Sequence, residues 1–121
     1  MANDYDATAK NVMLDALGVL MTRVALHTGD PGAANAADNE VVGGSPAYAR
    51  KAIAWNAAAA GSMDDSTAPV FDVPAATTVS WISFWNTAGT VRYCKKDVTD
   101  EVFGAQGTYT LTDVDFDLND A

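Results

Sequence analysis

The chain has 121 residues, 49% of them hydrophobic, which suits one domain with its own core and is too apolar for a disordered chain. Sixteen acidic against seven basic residues give a net charge of −9, so a nucleic-acid backbone would repel it. The single cysteine, Cys94, rules out an intrachain disulfide, and no apolar run approaches the ~18 residues of a membrane span.

Residues 3–17 read as the one convincing helix. Asn3 or Asp4 is placed to cap it, and acids in its first turn suit the helix dipole. Ala9, Val12, Met13, Ala16 and Leu17 recur at helical spacing as one apolar face, and Gly18 is the expected stop. So short a helix is marginal alone, so it is expected to lie against its own sheet or a neighbouring subunit.

Residues 22–28 read as a strand, with Val24 and Leu26 on one side and Arg23 and Ala25 on the other, ending in a tight turn at Gly29, Asp30, Pro31 and Gly32. Residues 33–47 are rich in Ala, Asn, Asp, Gly, Ser and Pro and read as a surface loop long enough to be a contact element. Strand character returns at 48–55 and, between Pro69 and Pro74, at 70–73. Residues 77–86 have the strongest β-propensity, with Val79, Trp81, Ser83 and Trp85 on one face and Ser80, Ile82 and Phe84 on the other. Large apolar groups on both faces imply that both are covered. A hairpin turn at Ala88 and Gly89 leads to a strand over 90–98. Residues 108–118 alternate again, with a phase slip at Thr112 and Asp113 that marks a bulge or bend. The sum is a mainly β chain: an antiparallel β-sandwich or jelly-roll-like fold with one N-terminal helix. We divide it as helix 1–18 and sandwich 19–121, one domain overall.

Candidate chemistry is sparse. His27 is the only histidine, so no His-based metal site is expected, and a strand-end histidine bonded to the following turn is the plainer reading. Lys95 and Lys96 follow Cys94 and would lower a thiol's pKa, but a small buried residue accounts for it better. Asp113, Asp115 and Asp117 share one strand face and could line a calcium-binding edge. A flat strand supplies no wrapping loop, however, so a solvated face is the expectation. No P-loop, dinucleotide fingerprint or nucleophile elbow occurs, and Gly43, Gly44 and Ser45 read as a flexible loop. No catalytic residue, cofactor or metal is assigned. The aromatic load of Trp55, Trp81, Phe84 and Trp85 instead suggests a core plus an oligomer interface, or a sugar-stacking surface.

The string VALHTGDPG at 24–32 looks like the LHTxDPG signature of short phage tail-associated proteins. Asn39, Glu40 and Val41 follow it, then a Gly-Gly-Ser to Tyr-Ala-Arg segment at 43–50, then the aromatic strand at 79–86 ahead of a short hairpin. The order matches over roughly residues 1–118 and resembles minor tail or tail-fibre-like virion proteins, notably of siphophages of actinobacteria. The resemblance implies a non-enzymatic virion component made in the host cytoplasm, with the tail favoured over the capsid surface. It also implies other virion proteins as partners and a symmetric homo-oligomer, for which a trimer is favoured. A capsid decoration protein and a carbohydrate-binding module that meets a host surface glycan are the alternatives. Neither nucleic acid nor membrane is expected as a partner. Val12, Leu17, Tyr48, Arg50, Trp55, Trp81, Phe84 and Trp85 are the interface candidates. Neighbours are expected to dock on the 33–47 loop and the 79–86 strand.

Overall fold

The structure is a computed structural model that describes residues 3–118. Helix α1 (Ala7–Leu20) is followed by strands β1 (Arg23–His27), β2 (Lys51–Ala52), β3 (Ser62–Asp64), β4 (Val70–Val73), β5 (Thr77–Trp85), β6 (Arg92–Phe103), β7 (Gly107–Thr110) and β8 (Asp115–Asp117). The chain is thus mainly β and antiparallel, with its helix at the N-terminus, as its residues predict. A four-stranded sheet runs β2-β1-β5-β6, and two ribbons pair β3 with β8 and β4 with β7. Val24, Leu26, Val79, Ile82 and Phe84 of the sheet share one core with Leu14 and Met21 at the helix and with Met63, Phe71, Tyr109 and Phe116 of the ribbons. The layer opposite the sheet is therefore two ribbons and a helix, which gives a sandwich-like arrangement without a second continuous sheet.

The helix departs from its expected bounds. It starts at Ala7, not residue 3, and neither Asn3 nor Asp4 caps it; Asp6 holds the cap position without a side-chain bond, and no acid lies in the first turn. It also runs through Gly18 to Leu20. The glycine is there for proximity: a Cβ at Gly18 would come within 3.1 Å of the Met63 sulfur and 3.3 Å of the Trp55 ring. Trp55 Nε1 donates to the carbonyl of Met21 at 2.9 Å and so satisfies an acceptor at the helix C-terminus. On the same side, Asn11 and Asp15 accept hydrogen bonds from the backbone N–H groups of Gly61 and Ala58. Leu14 is the buried helix residue, whereas Val12, Met13 and Ala16 of the expected apolar face are turned outward.

Three further differences have clear causes. Residues 48–55 supply only the two-residue β2 and an isolated bridge at Trp55. In β5 the pairing jumps from Val79 opposite Glu101 to Trp81 opposite Asp97. That irregularity changes the alternation, so Val79 joins Ile82 and Phe84 on the core side and is not on the face of Trp81, Ser83 and Trp85. Residues 108–118 form two strands rather than one. Asp113 adopts a positive φ of 56°, and the corner there hands the chain from β7, paired with β4, to β8, paired with β3. The hairpin at Ala88 and Gly89 forms as expected, with Gly89 at φ 75° and Asn86 Oδ1 accepting from Thr90 and Val91 N–H.

Candidate functional site

The outer face of the sheet is not bare. His27 and Ser83 lie on it fully buried, with Trp85 beside them. The Trp85 indole N–H donates to Ser83 Oγ at 2.7 Å, and Ser83 Oγ lies 2.6 Å from His27 Nε2. His27 Nδ1 lies 2.9 Å from the carbonyl oxygen of Asp38, which can only accept. The proton is therefore on Nδ1, Nε2 accepts from the serine, and every polar atom of the chain Trp85–Ser83–His27–Asp38 has a partner. A serine bonded to a histidine is the core of many hydrolases, but here both side chains are sealed and the serine oxygen is already occupied by the tryptophan. The pair is a structural tie that holds the loop, through Asp38, on the sheet.

Beside it, Glu40 receives three donors. Arg50 binds it in fork fashion, Nε at 2.9 Å and Nη2 at 2.8 Å, and the Tyr48 hydroxyl donates at 2.8 Å. The same Tyr48 oxygen accepts the backbone N–H of Leu26 at 3.0 Å. That amide falls where β1 passes from β2 to the isolated bridge between His27 and Glu40, so the hydroxyl fills a gap in the ladder. Burial and the adjoining carboxylate push the Tyr48 pKa far up, which keeps the hydroxyl a donor. Arg50 also lies 4.1 Å from the centre of the Trp85 ring and covers it. Tyr48 and Arg50 converge on Glu40 from irregular chain and not from the strand expected at 48–55.

Burial lowers the His27 pKa below 6.5. Burial alone would raise that of Glu40, but the bonds from Arg50 and Tyr48 and the Arg50 charge outweigh it, and the Glu40 pKa sits below 4.5. In both cases the unfolded chain takes up a proton before the folded one does, so the associated stability is present at neutral pH and lost on acidification. The loss begins below about 6.5 for His27 and below about 4.5 for Glu40. Because His27 is the only histidine, imidazole ¹⁵N shifts of the untagged protein read it directly. We expect the ring to keep its neutral Nδ1–H form to lower pH than a free imidazole; a ring that titrates at 6.5 or above would contradict the burial argument.

The first part of the loop is tied down by side chains of β6. The Arg92 guanidinium donates to the carbonyls of Gly32, Ala33 and Ala36, and its own N–H donates to Asn35 Oδ1. Lys95 bonds Asp30 at 2.6 Å and the Gly32 carbonyl at 3.0 Å, and lies 5.6 Å from the Trp81 ring. Gly32 is required where it stands, at φ 96° and with Asp38 Oδ2 only 2.5 Å from where a Cβ would be.

The interface candidates separate accordingly. Phe84 and Trp85 are core residues, 0% and 2% exposed, because β5 is a central strand covered by the core on one side and the loop on the other. These two side chains present no surface for docking, whereas Ser80, Trp81 and Asn86 of the same segment stay partly accessible. Leu17 packs against the core, and Tyr48 and Arg50 are occupied by Glu40. Trp55 stacks edge-on against Phe116 at 5.2 Å, with part of its ring still accessible, and Trp81 is half-buried beneath Lys95. Val12 is open to solvent at 66%. Cys94 is half-buried, and burial raises its thiol pKa against the pull of Lys96 and Arg92, the opposite of activation. Asp115 and Asp117 are exposed on β8, while Asp113 belongs to the corner before it. No cluster of three or more metal-ligating side chains occurs among the described residues, and none of their helices is long and apolar enough to cross a membrane.

Residues 7–112 match the family described as "Podophage GP4 fiber I protein gp80". The chain belongs to this phage fibre family. The family makes the chain a bacteriophage structural protein with its place in the virion. No curated protein and no solved structure matches the chain.

Proposed function

We propose that the chain is a non-enzymatic subunit of a tail-associated fibre, assembled as a symmetric homo-oligomer and seated against other virion proteins. The observation that carries this reading is the family match over residues 7–112. The sealed Ser83–His27 pair supports it, since this nucleophile-and-base arrangement is closed to substrate. A tail position and a trimer remain the favoured details. Quantitative mass spectrometry of purified particles, with the density of the intact virion, tests them together. A fibre subunit should appear in a few to a few tens of copies at the tail. Copy numbers matching the major capsid protein would instead make it a decoration protein, and absence from particles would overturn the virion reading.

A further inference from the structure

Strand β6 is the outermost strand of the four-stranded sheet, with β5 as its neighbour. From Asp97 to Val102 every side chain but Val98 is exposed. Among the described residues, neither a further strand nor a loop hydrogen-bonds this stretch from the side away from β5. β5 itself gives residues 98–100 no partner in its register. A row of main-chain donors and acceptors is thus open to another extended chain.

A groove of about 640 Å³ runs along this edge. Residues 96–101 form one wall, and Tyr109, Leu111, Asp113 and Val114 form the other. Six extended residues span about 20 Å, room for a strand segment of equal length. Tyr109 is 8% exposed, yet its hydroxyl has no hydrogen-bond partner among the described residues. Burial, and then the charge of Glu101, raise its pKa, so the hydroxyl keeps its proton. A buried hydroxyl left unpaired costs stability, and a main-chain carbonyl laid in the groove would accept from it.

Charge selects the occupant. Asp97, Asp100, Glu101 and Asp113 line the groove against one amine, Lys96, which already donates to the Asp115 carbonyl at 2.9 Å. A second copy of this chain does not fit. Two β6 strands paired antiparallel about Thr99 would set Asp97 against Glu101, like charge on like. No segment of the sequence carries two basic residues at alternate positions, the spacing that puts both on one face of a strand. Carboxylates and a bulge also guard edges that pair with nothing, but such guarding explains neither the groove nor the unpaired Tyr109 hydroxyl.

We propose that an extended segment of a different protein, with lysine or arginine at alternate positions, adds as a strand to the free edge of β6 and lies in this groove. The four carboxylates meet its basic side chains, and Tyr109 donates to its main chain. This deepens the fibre-subunit reading by naming the chemistry of a virion partner, and takes only the partner's source from that reading.

The test uses the full chain, labelled with ¹⁵N, and a blocked peptide of alternating lysine and valine. The peptide should shift the amide signals of residues 96–101 saturably and slow their hydrogen exchange, and salt should weaken it. A peptide of alternating glutamate and valine should do neither. Asp97→Asn/Asp100→Asn/Glu101→Gln alters only exposed side chains. It should keep the wild-type melting transition and weaken peptide binding about tenfold, the sum of three exposed pairs. Tyr109→Phe should melt no lower than wild type, since it removes an unpaired hydroxyl, and should weaken binding about threefold. No saturable shift, shifts without slowed exchange at residues 96–101, equal binding of the glutamate peptide, or either variant binding like wild type would each overturn the proposal. Calcium chloride that moves these amides where the lysine peptide does not would make the groove an ion site and overturn it too. All these results leave the fibre-subunit reading standing, whereas absence of the chain from particles removes that reading and leaves the peptide result untouched.

Discussion

Phe84→Ala should destabilise the fold by about 3–5 kcal/mol, the range for removing a fully buried aromatic ring. Phe84 is 0% exposed and sits among rings, 5.7 Å from Trp55 and 5.1 Å from Phe116, centre to centre. Those neighbours come from an irregular segment and from β8, which pairs only with β3. Trp55 is nevertheless held by its bond to the Met21 carbonyl and Phe116 by the pairing of β8 with β3, so most of the cavity should persist. Chemical denaturation measures the effect. A loss below about 1 kcal/mol, with assembly impaired instead, would restore Phe84 as a contact residue and count against its burial.

Arg50→Met should cost about 2 kcal/mol at neutral pH, less than the ~3–5 kcal/mol for breaking a fully buried ion pair, because part of each side chain meets water. The side chains of Arg50 and Glu40 are 24% and 19% exposed. Methionine keeps apolar cover over Trp85 but leaves Glu40 half-buried, with Tyr48 as its remaining donor. The Glu40 pKa should then rise, because burial is the largest influence on it and the guanidinium opposing that influence is gone. The variant's deficit against wild type should shrink on acidification, as protonated Glu40 no longer needs its cation. Glu40→Gln should cost less than Arg50→Met, since the amide oxygen still accepts from Tyr48. Equal deficits at pH 7 and pH 4 would mean that the pair contributes packing and not charge.

The strands most legible in the sequence are those whose partners are near or whose alternation is strong. β5, its hairpin to β6, and β1 stand close to where propensity and turn residues put them. What escaped is set by tertiary contact. Gly18 reads as a stop by local rules, but a helix can pass through glycine, and here it must, because Trp55 and Met63 press on that position. The apolar row on the helix was visible, yet periodicity alone cannot say which of two faces meets the body; side-chain acceptors Asn11 and Asp15 decided it. The outer face of the sheet misled for a related reason. Two aromatic faces on β5 implied cover, and a neighbour was an obvious source, but the chain's own 28–41 loop supplies it. The tie that holds the loop joins His27 to Ser83 across 56 positions, a pairing no spacing rule reveals.

The manner in which Arg92 grips that loop bears on how the surface can evolve. The guanidinium holds carbonyl oxygens of Gly32, Ala33 and Ala36, which every amino acid possesses, so the loop's outline is written in main chain. Ala33 and Ala34 face outward with no part in that grip beyond their backbones. Such residues are free to drift while the strand beneath stays fixed. Substitutions at Ala33 and Ala34 can therefore change the side chains on this surface while the main-chain grip and the strand beneath it persist.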